Sequence, residues 1–199
     1  MRYNAQMIFL GIYMQSVNQQ IAESLKALRK KQGWSLDRTA QETGVSKAML
    51  GQIERGESSP TIATLWKIAG GFQTSLSALL EPETTGFQGV QVRSAEQIRH
   101  QPAKDSMLLA SLFPYDERFR FEWLELTLPI GYEHYSQPHL QGVIEHVVVL
   151  HGEIELFIEQ EWRAFSKGDA VRFAADQLHG YRNSGDVEAA IHNLIYYPL

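Results

Sequence analysis

The first third of the chain carries apolar residues at the spacing of an amphipathic helix. Ile21, Leu25 and Leu28 recur every three or four residues, and the basic turn before Gly33 is typical of a helix C-terminus. Four later positions hold residues that can begin a helix by capping its first free amides. These positions are Ser35, Ser46, Thr61 and Ser75. The pattern predicts a compact bundle of five short helices within residues 18–80.

The second half of the chain alternates apolar and polar residues instead. From Met107 onward, strand-length runs are separated by glycine or proline, as in an all-β fold. Many short strands without a long helix predict a jelly roll or barrel over residues 107–199. Residues 81–106 contain several proline, glycine and threonine residues and are expected to form a linker. The predicted fold class is α + β multidomain, a five-helix bundle followed by a β-barrel.

The segment before the predicted bundle, residues 1–17, is interpreted as an extension, with Met14 as a candidate start of the protein. Its longest apolar run covers residues 7–14, which is far short of the roughly 20 residues that a membrane helix requires. We therefore expect no membrane partner.

Charge is distributed unevenly between the two halves of the chain. Residues 1–80 contain nine Lys and Arg against five Asp and Glu, whereas residues 81–199 contain nine against eighteen. A basic module joined to an acidic body indicates that the first part binds a polyanion such as nucleic acid. The chain has no cysteine, which excludes disulfides and thiolate zinc sites and agrees with a reducing, cytoplasmic location.

Residues 35–56 predict two helices joined by a tight turn at Gly44, which is the spacing of a helix-turn-helix. If Leu50 and Ile53 anchor the second helix, its outer side carries side chains that can reach base edges in the major groove. The base-contact candidates are Lys47, Ala48, Met49 and Gln52. Residues around the next helix start can contact phosphates, because helix N-termini attract anions. The phosphate-contact candidates are Arg55, Ser58 and Thr61.

Residues 21–80 resemble the lambda-repressor-like (Xre) helix-turn-helix family. The resemblance rests on Gly-Val-Ser at 44–46 and Ile-Glu-Arg-Gly at 53–56, with Thr39 where the family usually has leucine. It implies binding to double-stranded DNA and a structural ion pair between Arg29 and Glu54. A protein-docking module is the alternative interpretation of such a bundle.

Two segments of the second half resemble the two sequence motifs of the cupin family. The positions that preserve the motif spacing are His139, Glu145, Gly152, Gly168, His179 and Asn183. The sequence departs from the family pattern at Gln141, Ala174 and Asp176. The resemblance implies a β-barrel that holds a small ligand and, in catalytic members, a divalent metal ion.

The candidate metal ligands are His139, Glu145 and His179, a set of two histidines and one carboxylate that suits iron or manganese. A period of two puts His139 and Gln141 on one face of a strand, with Glu145 on the neighbouring strand. Gln141 is therefore a further ligand candidate, although its amide oxygen is neutral and binds a metal ion more weakly. The alternative is that these histidines are only hydrogen-bonded within the core. No cofactor is established by the sequence, and a divalent metal ion is the one candidate.

Three further residues are candidates for a ligand pocket in the barrel. Tyr181 and Asn183 lie at two-residue intervals after His179 and are expected to share its inward face. Arg172 could pair with an acidic group of a ligand. The alternating aromatics Phe121 and Trp123 are expected in the barrel core.

The whole chain resembles helix-turn-helix cupin transcription regulators. The resemblance implies a DNA-binding regulator, not an enzyme, whose cupin barrel binds a small-molecule effector. We expect a homodimer joined through the barrels, because a two-fold pair places two reading helices about 34 Å apart on an inverted-repeat operator. The alternatives are a metal-dependent cupin oxygenase or isomerase tethered by the helices, and a protein-only adaptor.

Overall fold

The computed structural model describes residues 2–81, 89–100 and 107–198, with side chains described from residue 17 onward. The helices in these ranges are α1 (Arg2–Lys31), α2 (Leu36–Thr43), α3 (Lys47–Glu54), α4 (Ile62–Phe72), α5 (Ser77–Leu80) and α6 (Ala95–Ile98). The backbone of residues 2–17, interpreted above as an extension, continues α1 towards its N-terminus. None of the helices in the described ranges is both long and apolar enough to cross a membrane.

The prediction of five helices is wrong by one within the described part of the chain. Helix α6 lies in the segment that we expected to be a linker. The amides of Gln97 and Ile98 both donate to the carbonyl of Ser94, which closes a single turn. Two stretches of the predicted linker, residues 82–88 and 101–106, lie outside the described residues.

Three of the four predicted helix starts are confirmed. The hydroxyl oxygens of Ser35, Ser46 and Thr61 each accept a hydrogen bond from the amide three residues later. Gly44 ends α2 with a φ of 65°, a left-handed conformation that glycine adopts without steric cost. Helix α5 begins two residues after the start predicted at Ser75, but the Ser75 hydroxyl oxygen accepts from the amide of Ala78, three residues later, at 3.3 Å.

The strands are β1 (Leu108–Asp116), β2 (Phe121–Leu128), β3 (Glu133–Ser136), β4 (Ile144–His151), β5 (Glu153–Ile158), β6 (Glu161–Ser166), β7 (Ala170–Ala174), β8 (His179–Arg182) and β9 (Ala189–Tyr196). They form a five-stranded sheet in the order β1-β2-β9-β4-β7 and a four-stranded sheet in the order β3-β8-β5-β6. All the strand pairs are antiparallel. The predicted jelly roll or β-barrel is not a closed barrel, because no ladder among the described residues joins the edges of the two sheets.

The two sheets place the candidate ligand residues in the space between them. Glu145 lies on β4 of the five-stranded sheet, whereas His179 and Tyr181 lie on β8 of the four-stranded sheet. All three side chains are buried, together with apolar core residues such as Leu124 and Leu156. The site is therefore enclosed by both layers of the fold.

The interpretation of the β2 aromatics as core is wrong. Glu122, Leu124 and Leu126 are the buried residues of this strand, so Phe121 and Trp123 project from the opposite, outer face of the sheet. Alternation alone could not fix which face is inward, because both faces of β2 carry large apolar residues.

The helical and β-rich parts are joined by hydrogen bonds to a buried carboxylate. The two carboxylate oxygens of Glu122 on β2 accept from the amides of Leu76 and Ser77 at the start of α5, at 3.1 and 2.8 Å. The hydroxyl of Tyr197 donates to the same carboxylate at 2.5 Å. The amide of Tyr115 on β1 donates in turn to the Ser77 hydroxyl at 2.8 Å. These bonds satisfy amides that would otherwise be unpaired at the helix start.

Candidate functional site

The helix-turn-helix is built from α2 and α3, and the turn between them is stabilised locally. Val45 in the turn and Leu50 and Ile53 on α3 are buried in the core. Their burial fixes the rotation of α3 and leaves its other side exposed to solvent. The exposed side of α3 is therefore available to enter a major groove.

The structure places three of the four base-contact candidates on that exposed side. Lys47, Ala48 and Gln52 are exposed, whereas Met49 is half-buried. The sulfur of Met49 lies 3.7 Å from the hydroxyl oxygen of Ser58, which connects α3 to the segment leading into α4. Met49 thus has a packing role beside any contact with a base.

The phosphate-contact candidates flank α3 at its C-terminal end. Arg55 follows the helix and is exposed, while Ser58 is half-buried. Thr61 is also half-buried, and its hydroxyl oxygen already accepts from the Thr64 amide at 3.1 Å. The Thr61 hydroxyl is therefore engaged in capping α4.

Lys47 and Arg55 each form an ion pair with a carboxylate that the sequence analysis did not predict. The ammonium group of Lys47 lies 2.8 Å from a carboxylate oxygen of Asp37 on α2. Arg55 makes two hydrogen bonds to Glu57, at 2.8 and 2.7 Å. The hydrogen bonds from Arg55 lower the pKa of the exposed Glu57 carboxyl. A contact from either cation to DNA would require it to exchange its acidic partner for phosphate or base atoms.

The ion pair implied between Arg29 and Glu54 is confirmed. The Arg29 guanidinium donates to both Glu54 oxygens, at 2.6 and 2.8 Å, and also to the Trp34 carbonyl at 3.0 Å. The hydrogen bond to Glu54 is the largest effect on the pKa of the Arg29 guanidinium, and it raises that pKa above its ordinary value. This fork joins α1 to α3, so Glu54 belongs to the scaffold of the recognition helix.

The candidate metal ligands come together between the sheets. One carboxylate oxygen of Glu145 lies 2.9 Å from Nε2 of His139 and 3.3 Å from Nε2 of His179. One ligand atom from each of the three residues lies within 4.8 Å of the other two. His139 stands in the connection after β3, where its amide donates to the Ala175 carbonyl at 2.9 Å.

The second oxygen of Glu145 is fixed by two neutral donors. The Tyr181 hydroxyl and the Asn193 amide, the latter at 3.0 Å, both donate to it. Burial would raise the pKa of the Glu145 carboxyl, but attraction to His179 and the hydrogen bond from His139 outweigh it and hold that pKa well below its usual range. Burial and the Glu145 charge raise the pKa of Tyr181 well above its ordinary value, so the phenol keeps its proton.

His179 has the arrangement of a metal-binding imidazole. Its Nδ1 lies 2.8 Å from the Gln177 carbonyl oxygen, which can only accept a hydrogen bond, so Nδ1 carries the N–H. In the neutral ring this leaves a lone pair on Nε2, which is buried and makes no hydrogen bond to the described residues. Burial lowers the pKa of His179, but the attraction of Glu145 reverses the effect and the net pKa is raised. The buried Nε2 of His179, directed at the Glu145 carboxylate, and the set of two histidines and one carboxylate fit a divalent first-row metal ion.

Three pocket candidates lie apart from this cluster. Gln141 is exposed in a turn, so the expectation that it shares a strand face with His139 is wrong: residues 137–143 form an irregular connection. Arg172 is exposed on β7 and pairs across the ladder with His146, which faces away from the space between the sheets. Asn183 is buried, but its amide donates to the carbonyls of Leu128 and Val187 at 2.9 Å each, where it stabilises a turn.

Three residues beside the cluster escaped the sequence interpretation. Besides Asn193, these are Phe173, whose ring centroid lies 5.5 Å from that of His179, and Trp66 of α4, whose ring centroid lies 5.4 Å from that of His139. Phe173 could have been predicted from the sequence, because neighbouring residues on a strand face opposite sides and a charged Arg172 on the outside places Phe173 inside. Trp66 brings the helical part of the chain into contact with a candidate metal ligand.

Comparison with known proteins agrees with both halves of this geometry. The Helix-turn-helix family model matches residues 25–79, and the Cupin domain model matches residues 125–195. The chain is 45% identical over 185 residues to the HTH-type transcriptional regulator SutR of Escherichia coli (strain K12), covering 93% of this chain and 99% of that protein. It is 30% identical over 105 residues to the HTH-type transcriptional regulator SlrR of Bacillus subtilis (strain 168), covering 51% of this chain and 69% of that protein.

A solved structure extends the similarity over both parts of the molecule. The crystal structure of an HTH_3 family transcriptional regulator from Vibrio cholerae has a TM-score of 0.77 and 43% sequence identity to this chain. The match covers 93% of this chain and 99% of that one. With an exposed, capped recognition helix joined to a cupin domain, the chain belongs to the family of HTH-type transcriptional regulators and is a DNA-binding regulator of transcription.

Proposed function

We propose that this regulator binds a double-stranded operator through α3 and that a small effector in its cupin domain modulates the binding. The observation that carries the proposal is the exposed side of α3, with Lys47, Ala48 and Gln52, held in place by the Arg29–Glu54 pair. Gln52 can pair with adenine, Lys47 can reach guanine acceptors, and Ala48 can touch a thymine methyl group. Arg55 and Ser58 are proposed as phosphate contacts.

The effector site is proposed at the cluster of His139, Glu145 and His179, with Tyr181 beside it. A divalent metal ion held by the two histidines and the carboxylate would supply a coordination position for an oxygen or nitrogen atom of the effector. Tyr181 and Asn193 orient the carboxylate by donating to its second oxygen. The fixed carboxylate in turn holds both imidazoles at hydrogen-bonding or ion-pair distance.

The assembly is proposed to be a homodimer that acts in the cytoplasm, where an inverted-repeat operator would meet two copies of α3. The proposed units are residues 18–80 as the DNA-binding domain and 107–199 as the cupin sensor domain, with 81–106 joining them. The outer face of the five-stranded sheet supports a dimer through the β-rich parts, because its half-buried Trp123, Leu194 and Tyr196 form an apolar surface.

Gln52→Ala tests base reading directly. We expect the variant to lose about 1 to 3 kcal/mol of discrimination at one base pair, because the bidentate contact with adenine is removed. Binding constants on the operator and on single-base variants of it, at one salt concentration, measure the effect. Gln41→Ala, also exposed but on α2, is the matched control. Equal weakening of binding to every DNA sequence would instead mean that Gln52 contacts the sugar-phosphate backbone, which would contradict the proposal.

A second function has one observation in its favour, the set of two histidines and one carboxylate, which also supports metal-dependent oxygenase or isomerase chemistry. The two functions differ in what the purified protein does. Salt-dependent operator binding without turnover supports the regulator, whereas turnover with added iron and no operator binding supports the enzyme.

A further inference from the structure

A cleft of about 240 Å³ opens between the helical part and the β-rich part of the chain. One wall is formed by α4 and the end of α2, and the other by β3 and the connection that leads to His139. The lining is mixed, since Trp66, Tyr135 and Pro138 present apolar surface while Gln137 and Lys67 present polar groups. Small-molecule sites have this composition, with a few polar groups placed among aromatic and apolar ones.

The α4 wall is one continuous face of the helix. Ala63, Trp66, Lys67 and Gly70 line the cleft and recur at intervals of three or four residues. An added Cβ at Gly70 would meet no other atom within 4 Å, so this end of the wall is open space. The Trp66 ring closes the other side by packing against His139 at 5.4 Å between centroids.

The charge in the cleft favours an anion. Lys67 is exposed on the α4 wall, and none of the ion pairs among the described residues includes it. The acidic lining residue, Glu42, is already paired with Arg38. A ligand with one negative group could therefore pair with Lys67 without meeting an unpaired carboxylate of the wall.

Movement of the α4 wall would be passed on to the helix-turn-helix. A Cβ at Gly71 would come within 2.7 Å of the Glu42 carbonyl oxygen and of Thr43, so α4 lies directly against the end of α2. Helix α2 leads through the Gly44 turn into the recognition helix. A ligand in the cleft would contact the cupin part and the element that supports base reading at the same time.

We infer that this cleft binds a small organic monoanion with a flat ring, its acidic group on Lys67 and its ring against Trp66, and that occupancy shifts the position of α4 on the β-rich part. The volume suits a single-ring acid, since it is below the roughly 300–1,000 Å³ of pockets that hold drug-sized ligands. The inference rests on the proposed regulatory function and adds a second ligand site to the proposed metal cluster, with its ligand class and the surface through which that ligand acts.

The test uses the full-length protein and three probes, 4-fluorobenzoate, 4-fluorobenzamide and acetate, at millimolar concentration. Fluorine relaxation in NMR measures binding of the two fluorinated probes, and competition by acetate tests whether the charge alone suffices. We expect saturable binding of 4-fluorobenzoate and little binding of the neutral amide. Lys67→Gln should weaken the benzoate affinity about tenfold, because one charge-assisted contact is lost. Gly70→Leu should abolish binding by filling the cleft.

Matched variants separate cleft occupancy from loss of fold. Lys26→Gln removes an exposed cation on α1 that does not line the cleft, and Gly70→Ala adds a methyl group that leaves most of the space open. Both should bind 4-fluorobenzoate as the unmodified protein does. Equal affinity in all four variants, or no saturable binding to the unmodified protein, would overturn the inference.

Operator binding of the same preparations distinguishes this inference from the function on which it rests. Unmodified protein that binds its operator but not the benzoate refutes the cleft site and leaves the regulator standing. Protein that binds the benzoate at the cleft but no DNA refutes the proposed function and leaves the ligand site standing. A several-fold change in operator affinity on adding 4-fluorobenzoate, absent in Gly70→Leu, supports both.

Discussion

Individual side chains on the proposed DNA face are occupied by partners within the same chain. Lys47 is paired with Asp37 and Arg55 with Glu57, and all four side chains are more than half exposed. Exposed pairs of this kind add little to stability, because water and salt screen them. If Lys47 and Arg55 contact DNA as proposed, each carboxylate competes with the DNA for the same cation.

Glu57→Gln should therefore strengthen binding to any duplex, because it releases Arg55 for a phosphate. We expect the salt dependence of the binding constant to steepen by about 0.9 in log–log slope, the value of one additional phosphate contact. Binding to a random-sequence duplex over a salt series measures it. Glu159→Gln removes the comparable partner of Arg163 in the β-rich part and serves as the control. An unchanged slope in Glu57→Gln would mean that Arg55 does not reach the backbone.

The buried cluster makes a prediction about metal content. His139→Ala should lose a divalent ion that the unmodified protein, purified without chelator or nickel resin, holds at about one equivalent, because one of three ligands is removed. Gln141→Ala should keep the ion, since the Gln141 side chain is exposed in a turn away from the cluster. Elemental mass spectrometry of the three proteins is the measurement. No metal in the unmodified protein, or equal metal in all three, would reject the site.

Glu122 joins the helical part of the chain to the β-rich part. This carboxylate of β2 holds the start of α5 and the Tyr197 hydroxyl, and its residue is fully buried. Burial and the nearby Glu122 carboxylate raise the pKa of Tyr197 well above its ordinary value, so its hydroxyl remains a donor. The start of the last helix of the bundle is thus held by the sheet in addition to the local Ser75 hydroxyl, which accepts from the Ala78 amide at 3.3 Å.

Glu122→Gln should destabilise the protein by about 1 to 3 kcal/mol, because its new NH2 group would face an amide donor and leave one buried group unpaired. Glu125→Gln alters a half-buried carboxylate on the same strand, paired with Arg99, and should cost less. Urea unfolding followed by fluorescence and by circular dichroism measures both variants. Equal midpoints for the two would remove the special role of Glu122.

The elements that the sequence predicted well are those whose stabilising contacts are local. The caps at Ser35, Ser46 and Thr61 each involve a residue three positions away, so residue type and spacing were sufficient. The start of α5 was only partly predicted, because Ser75 caps the Ala78 amide locally whereas the amides of Leu76 and Ser77 donate to Glu122, which follows Leu76 by 46 residues. Gln141 was misplaced because period-two reasoning assumes a strand, and residues 137–143 do not form one.

The candidate site could likewise be predicted only where its residues belong to a motif with a fixed spacing. The spacing of His139, Glu145 and His179 matched a known motif, and the structure brings the three together. Asn193 and Trp66 come from β9 and α4, and no sequence distance relates them to that motif. Contacts between distant elements depend on how the sheets and helices pack, which alternation and capping do not specify.

The whole molecule combines a basic helical part with an acidic β-rich part, and a dimer would orient both. A two-fold axis through the β-rich parts would keep their acidic surface near the centre and present two basic recognition helices to one face of the duplex. An apolar part of the outer face of the five-stranded sheet offers the contact, since Leu194 and Tyr196 on β9 project from it.

Leu194→Glu should convert the proposed dimer to a monomer, because it buries a charge in the proposed interface. We expect sedimentation to show half the mass of the unmodified protein, and footprinting to show one half-site protected instead of two, about one turn of ~34 Å apart. Ile130→Glu, at a residue with 61% exposure outside this face, is the control. A monomeric unmodified protein, or a Leu194→Glu dimer, would exclude this interface.

The Glu122 contact also has a consequence for the order in which the protein is made. The start of α5 leaves the ribosome before its acceptor exists, since Glu122 follows Leu76 by 46 residues and Tyr197 follows Glu122 by 75. At about 5–20 residues per second, synthesis of the segment from Leu76 to Tyr197 lasts several seconds or longer. During that interval the nascent helical part already contains its whole recognition helix but not the contact that attaches it to the sensor. A growing chain could therefore engage DNA before it can respond to an effector.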